Sequence, residues 1–119
     1  MKNSIYDILK FKLGEESYGY EHKIIPIPPY KFLENNLLLE PYEYFGEIST
    51  ILGYRTQRLI LYFNADILMR VEIKFTGDIV LNLKSKLEET NLNFSSIMFL
   101  KMYYKQEENL TIITYQKIK

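Results

Sequence analysis

The sequence predicts an α+β fold: one domain over residues 1–119, with helices mainly in the N-terminal half packed on an antiparallel sheet of about four to five strands from the C-terminal half. Three observations predict it. Apolar residues recur at helical spacing in segments before Gly53, runs of isoleucine, threonine and aromatic residues follow Tyr54, and helical segments succeeded by strands are the order that α+β domains show. The chain is also apolar enough to fold: 47% hydrophobic and 25% charged residues belong to an ordered globular chain, not a disordered one. A domain of this length buries roughly two thirds of the surface its unfolded chain exposes, so one core suffices without disulfides or metals. No internal repeat, low-complexity tract or interdomain linker divides the chain.

In the first segment Ser4 stands three positions before Asp7 as a helix N-cap does, and Ile5, Ile8, Leu9 and Leu13 follow at helical spacing up to Gly14. The competing reading is a strand, because Leu9, Phe11 and Leu13 also alternate with Lys10 and Lys12. From Ile24 the run Ile-Ile-Pro-Ile-Pro-Pro excludes a helix, since proline removes donors and pushes its predecessor into extended geometry. A short helix is expected from Pro29 or Tyr30 to Leu38. A second is expected from Pro41 to Leu52, with proline in its first turn, Phe45, Ile48 and Leu52 on one stripe, and Gly53 as its stop.

Beyond Tyr54, Leu59 to Phe63 and Ile67 to Phe75 read as an antiparallel hairpin turned by Asn64-Ala65-Asp66. Val71, Ile73 and Phe75 alternate with Arg70, Glu72 and Lys74, which puts one face in the core and the other in contact with water. Residues 79–89 fit either a third strand, Ile79-Leu81-Leu83, or a helix carrying Val80, Leu83 and Leu87 on one side. Ser96 to Lys105 and Leu110 to Lys117 form a last hairpin around Gln106-Glu107-Glu108-Asn109.

The side chains that usually carry chemistry near neutral pH are scarce. One histidine and no cysteine stand against eleven tyrosines and seven phenylalanines, which excludes disulfide scaffolds and thiolate zinc sites and leaves His22 without an evident catalytic companion. Glu21 beside His22 does not orient it, because adjacent side chains diverge. The glycines make no phosphate-binding loop, and no EF-hand loop occurs, so no cofactor and no metal are expected. Fifteen basic and fifteen acidic residues balance, which removes the basic excess that drives nonspecific nucleic-acid binding. The N-terminus has no apolar signal region and Leu59 to Phe63 is too short to cross a bilayer, so a soluble, cytoplasmic chain with no membrane partner is expected.

Two constellations remain. Glu40, Glu43 and Glu47, spaced by three and four, form an acidic strip on the expected 41–52 helix, bordered by Tyr42 and Tyr44. A solvated helix start explains such a row; the sharper reading is a surface that fills a basic groove on a protein partner, with tyrosine supplying rigid contact area. The second is Arg55 and Arg58 beside Tyr54 and Tyr62, which with Arg70 holds all three arginines of the chain and makes either hairpin-bracing ion pairs or a phosphate contact. The strand Met98 to Lys105 interleaves aromatic and basic residues in the manner of sheets that stack single-stranded bases, but without the glycine-aromatic signature of an RNA-recognition motif, and its aromatics read mainly as core.

In general character the chain is similar to many bacterial immunity proteins and phage-encoded inhibitors, being small, neutral, tyrosine-rich and poor in catalytic side chains. The expected function is therefore a non-enzymatic protein-binding module, an inhibitor or immunity-type protein that covers the functional surface of a toxin, nuclease or other nucleic-acid-processing partner. The alternative is a nucleic-acid-binding accessory domain using Arg55, Arg58 and the aromatic strand. Homo-oligomerisation is left open.

Overall fold

Ser4 starts a helix as its position predicts. In the computed structural model, which describes residues 4–118, its hydroxyl accepts from the Tyr6 N–H while the Asp7 carboxylate takes the Ser4 N–H at 2.8 Å, a capping box for α1, Ile5–Leu9. The helix ends early, because Lys10 turns left-handed at φ 77°. Phe11 and Leu13 are then buried, with Lys12 between them exposed. The helical reading thus holds as far as Leu9, and no strand forms over Leu9 to Leu13.

A short 3₁₀ turn, Ser17–Tyr20, leads to β1, Ile24–Pro26. The two helices expected in residues 29–52 do not form. That stretch is β2, Phe32–Glu34; β3, Leu37–Tyr44; and the small hairpin of β4, Thr50–Ile51, and β5, Tyr54–Arg55. Asn35 and Asn36, at φ 50° and 65°, make the two-residue turn between β2 and β3, a conformation asparagine tolerates better than most residues. Gly53 does interrupt the chain, but with Leu52 it forms the positive-φ turn of the β4–β5 hairpin and caps no helix. Pro41 sits inside β3 at little cost. Its missing N–H would face Ile27, whose carbonyl instead accepts from the Tyr30 N–H at 2.9 Å, and the Pro41 carbonyl still accepts from the Ile27 N–H at 3.2 Å.

The second half follows expectation more closely. β6, Arg58–Asn64, and β7, Ile67–Thr76, pair as a hairpin through Ala65 and Asp66, both at positive φ. Residues 79–89 resolve to a helix, α2, Val80–Glu89, with Leu83 and Leu87 buried. β8, Met98–Lys105, and β9, Leu110–Lys117, form the closing hairpin. Seven of the nine strands among the described residues make one antiparallel sheet in the order β1-β3-β6-β7-β9-β8, with β2 also on β3. The fold class is therefore α+β with an antiparallel sheet, but strands dominate both halves and α1 is the only α-helix before residue 80 among the described residues.

The main core lies on one face of the sheet. Ile5 and Leu9 of α1, Phe11, Leu13, Ile51 and Leu83 and Leu87 of α2 pack against Leu61, Phe63, Val71, Ile73, Phe75, Ile113 and Tyr115. Tyr115 is fully buried and its hydroxyl donates to the Phe11 carbonyl at 2.6 Å, which fixes the segment after α1 to the sheet centre. The opposite face, among the described residues, carries no helix; Leu39, Ile60 and Ile112 are buried there while its outer part stays more open.

Candidate functional site

Strand alternation decides what this open face contains. The register lines up Glu43, Ile60, Glu72, Thr114 and Lys101 as one row across β3, β6, β7, β9 and β8. Pro41, Tyr62, Arg70, Gln116 and Phe99 make a second, and Arg58, Lys74, Ile112 and Tyr103 a third. Side chains in one row share a face, so residues far apart in sequence become neighbours.

Most of the charge is compensated within the face. Arg58 makes a two-pronged contact with Glu43, Nε to Oε2 at 3.0 Å and Nη2 to Oε1 at 2.8 Å. That hydrogen bonding lowers the Glu43 carboxyl below its ordinary value and raises the Arg58 guanidinium. Arg70 donates to both carboxylate oxygens of Glu34 and from Nε to Gln116 Oε1 at 3.1 Å, and its guanidinium lies 5.3 Å from the centre of the Tyr62 ring. Lys74 stands 3.9 Å from Glu72, which also accepts from the Tyr62 hydroxyl at 3.3 Å. Burial, followed by the Glu72 charge, pushes the Tyr62 phenol far above its ordinary range. Lys101 differs from these cations: it lies over the Tyr103 ring at 5.3 Å and, among the described residues, makes no ion pair.

Two open depressions meet at Glu72. One, of about 610 Å³, runs between the proline segment at Ile27, Pro28 and Pro29 and the floor formed by Arg58, Ile60, Tyr62 and Lys74, with Phe32 set edge-on to Tyr62 at 6.0 Å. The other, of about 340 Å³, is walled by Glu34 and Arg70 on one side and by Phe99, Lys101 and Tyr103 of β8 on the other. Phe99 is 62% exposed and Tyr103 37%, so these two aromatics of β8, expected in the core, stand in water, while Met98, Leu100 and Met102 turn toward the interior.

The five residues of the expected acidic strip are separated. With β3 in place of a helix, Glu43 lies on the open face and Tyr42 and Tyr44 on the covered one, because a strand sends successive side chains to opposite faces. Tyr42 packs edge-on to Phe63 at 5.5 Å and Tyr44 to Phe11 at 5.0 Å. Glu40 pairs across to Phe63 in the register, away from Glu43, and Glu47 lies past the strand, bonded to Lys23 at 3.2 Å. The arginine constellation divides too. Arg58 and Arg70 share the open face, whereas Tyr54 and Arg55 line a separate depression of about 390 Å³ beside Phe75 and Ile79. His22 is exposed in the turn before β1. Among the described residues no three His, Asp or Glu side chains come close enough together to hold a metal ion.

No family model, curated protein or solved structure matches this chain. The open face is accordingly read on its own chemistry. Glu34 and Gln116 escaped the sequence reading, since each gains its neighbours across strands, whereas the period-two alternation of β7 already put Glu72 on the wet face.

Proposed function

We propose that this protein is a non-enzymatic protein-binding module of inhibitor or immunity type, and that it docks on its partner through the open sheet face. The observation that carries the reading is the charge balance of that face beside exposed aromatics: Arg58 with Glu43, Arg70 with Glu34 and Lys74 with Glu72 leave an amphipathic surface rimmed by Phe99 and Tyr103. Protein interfaces favour such a mix of aromatic and arginine side chains with compensated charge, whereas a surface for a phosphate backbone needs several uncommitted cations. Of the residues first singled out, Glu43 belongs to this surface, and its pairing with Arg58 presents a flat, neutral patch rather than an acidic strip. The nucleic-acid alternative rests on Lys101 between Phe99 and Tyr103, and on Arg55, which makes no ion pair among the described residues.

An affinity pull-down with the intact chain tests this reading when it is run beside a Phe99→Asp, Tyr103→Asp double variant. The expected result is a stoichiometric protein partner held by the parent and lost by the variant. A partner retained equally by both moves the contact off this face. Nucleic acid that binds the parent and is released with rising salt supports the alternative.

A further inference from the structure

The two edges of the main sheet are treated differently by the sequence. β1 is three residues long and is followed at once by Ile27, Pro28 and Pro29, so that edge is short and poor in donors. β8 is eight residues long, contains no proline or glycine, pairs with β9 without a register shift, and has no strand on its other side. The backbone groups that point outward from it follow from the ladder. Gly77 N–H donates to the Asn109 carbonyl at 2.8 Å, continuing the β7–β9 register, so the odd-numbered residues of β9 bond to β7 and the even-numbered ones to β8. Their partners Phe99, Lys101 and Tyr103 therefore bond inward. Leu100, Met102 and Tyr104 turn their N–H and C=O groups away from the sheet, and Met98 N–H, of the same parity, is taken by the Phe94 carbonyl at 3.2 Å.

We propose that a second copy of this chain pairs with this edge, β8 antiparallel to β8, on a two-fold axis through Met102. Charge and the length of the free ladder together select the register for a second copy: an axis at Leu100 relies on Met98, whose N–H is already taken, and an axis at Tyr104 runs the pairing past Lys105 into the turn. Pairings that keep the core-side residues of both copies on one face differ by steps of one position in the location of the axis. An axis at Lys101 sets two ammonium groups opposite one another, and an axis at Tyr103 sets Lys101 against Lys105. An axis at Met102 instead sets Lys101 against Tyr103 and Phe99 against Lys105, so each lysine meets a ring, as Lys101 already does within its own strand. The same axis aligns the free backbone groups: Met102 bonds its symmetry mate in both directions and Leu100 bonds Tyr104, closing six hydrogen bonds. It also covers the half-buried Leu100, Met102 and Tyr104. Because the axis is perpendicular to the sheet, both open faces fall on one side and join into a single surface. The inference stands on the edge alone and does not depend on what the open face binds.

Sedimentation of the parent over a concentration series should give a species of twice 14.3 kDa. Tyr103→Lys, a change on an exposed ring, puts like charges opposite one another twice per dimer and should weaken dimerisation about tenfold or more; Tyr103→Glu should retain or tighten it. Since the chain has no cysteine, Met102→Cys supplies a lone thiol on the axis, where paired Cα atoms are about 5.5 Å apart. Mild oxidation should then cross-link it into a covalent dimer, while Leu100→Cys stays monomeric. A parent that remains monomeric at every concentration overturns the proposal, and so does a dimer that ignores both Tyr103 substitutions and fails to cross-link at position 102.

Discussion

Single residues hold the covered face together at points where no substitution is neutral. Tyr115 is one: its hydroxyl reaches the Phe11 carbonyl at 2.6 Å with no exposed surface, and removing it strands a buried acceptor. Tyr115→Phe is expected to cost about 1–3 kcal/mol in urea unfolding with an unchanged slope. Gly46 is another, for a reason of space. The Tyr44 ring lies where a Cβ at position 46 would sit, and its hydroxyl accepts from the Ile48 N–H at 3.3 Å, so the chain doubles back over the ring after β3. Gly46→Ala should displace that ring from Phe11 and lower the melting temperature by several degrees. Gly19→Ala, with open space around the new methyl group, should change it much less. Glu43 adds a pH term with a definite sign. Its carboxyl is held below the ordinary value of 4.5 mainly by the Arg58 hydrogen bonds, so the stabilisation is complete above that pH and is lost as the pH falls through the lowered folded value. Glu43→Gln should flatten the acid limb of stability below about pH 4.5 and leave its neutral shape unchanged.

Among the elements, the hairpins of the second half were legible and those of the first were not, and the turns explain the difference. β7 and β8 alternate, β6 and β9 are dense in strand-forming residues, and polar residues separate the strands of each pair, so composition and turn agree. In β3 the run Leu37-Leu38-Leu39 hides the alternation, and Pro41 followed by Glu43 and Glu47 imitates a helix start. What outweighs that local likeness is pairing on both sides, with β1 and β2 along one edge and β6 along the other. Asn35-Asn36 was the available signal for this hairpin and was passed over. Turn chemistry also yields a test at this scale. Ala65 holds φ 47° in the β6–β7 turn, a left-handed conformation that costs a residue with a Cβ roughly 1–2 kcal/mol. Asparagine tolerates it better, so Ala65→Asn should stabilise the protein by about 0.5–1 kcal/mol, read as a rise in the urea midpoint. A fall would mean that the turn is held by something other than its own geometry.

The molecule as a whole is a sheet with its main core on one face and a more polar surface on the other, and this asymmetry sorts its eleven tyrosines. The sequence showed their number but could not divide them, because the open face is assembled from the register of six strands and no single segment contains it. Tyr20, Tyr62 and Tyr115 are driven well above the ordinary tyrosine value, in each case first by burial, with Glu15 adding to Tyr20 and Glu72 to Tyr62. The sign of the consequence follows directly. Below about pH 10 these phenols are protonated in folded and unfolded chains alike and stability is undiminished; above it the unfolded chain releases protons that the folded one retains, and the balance shifts toward unfolding. The melting temperature should therefore hold from neutrality to about pH 9 and fall beyond pH 10, while the acid-side loss from Glu43 is absent in that range. Tyrosinate absorbance should reach its full value only as the sheet's circular dichroism disappears, because Tyr20, Tyr62 and Tyr115 are held protonated by the fold. Tyr62→Phe distinguishes the two faces. It removes one late-titrating phenol from the open side and should reduce the alkaline loss in part, leaving Tyr20 and Tyr115 to titrate with unfolding. Ionisation of all tyrosines in one step near pH 10, with the sheet intact, would show that neither face shields its phenols as the packing requires.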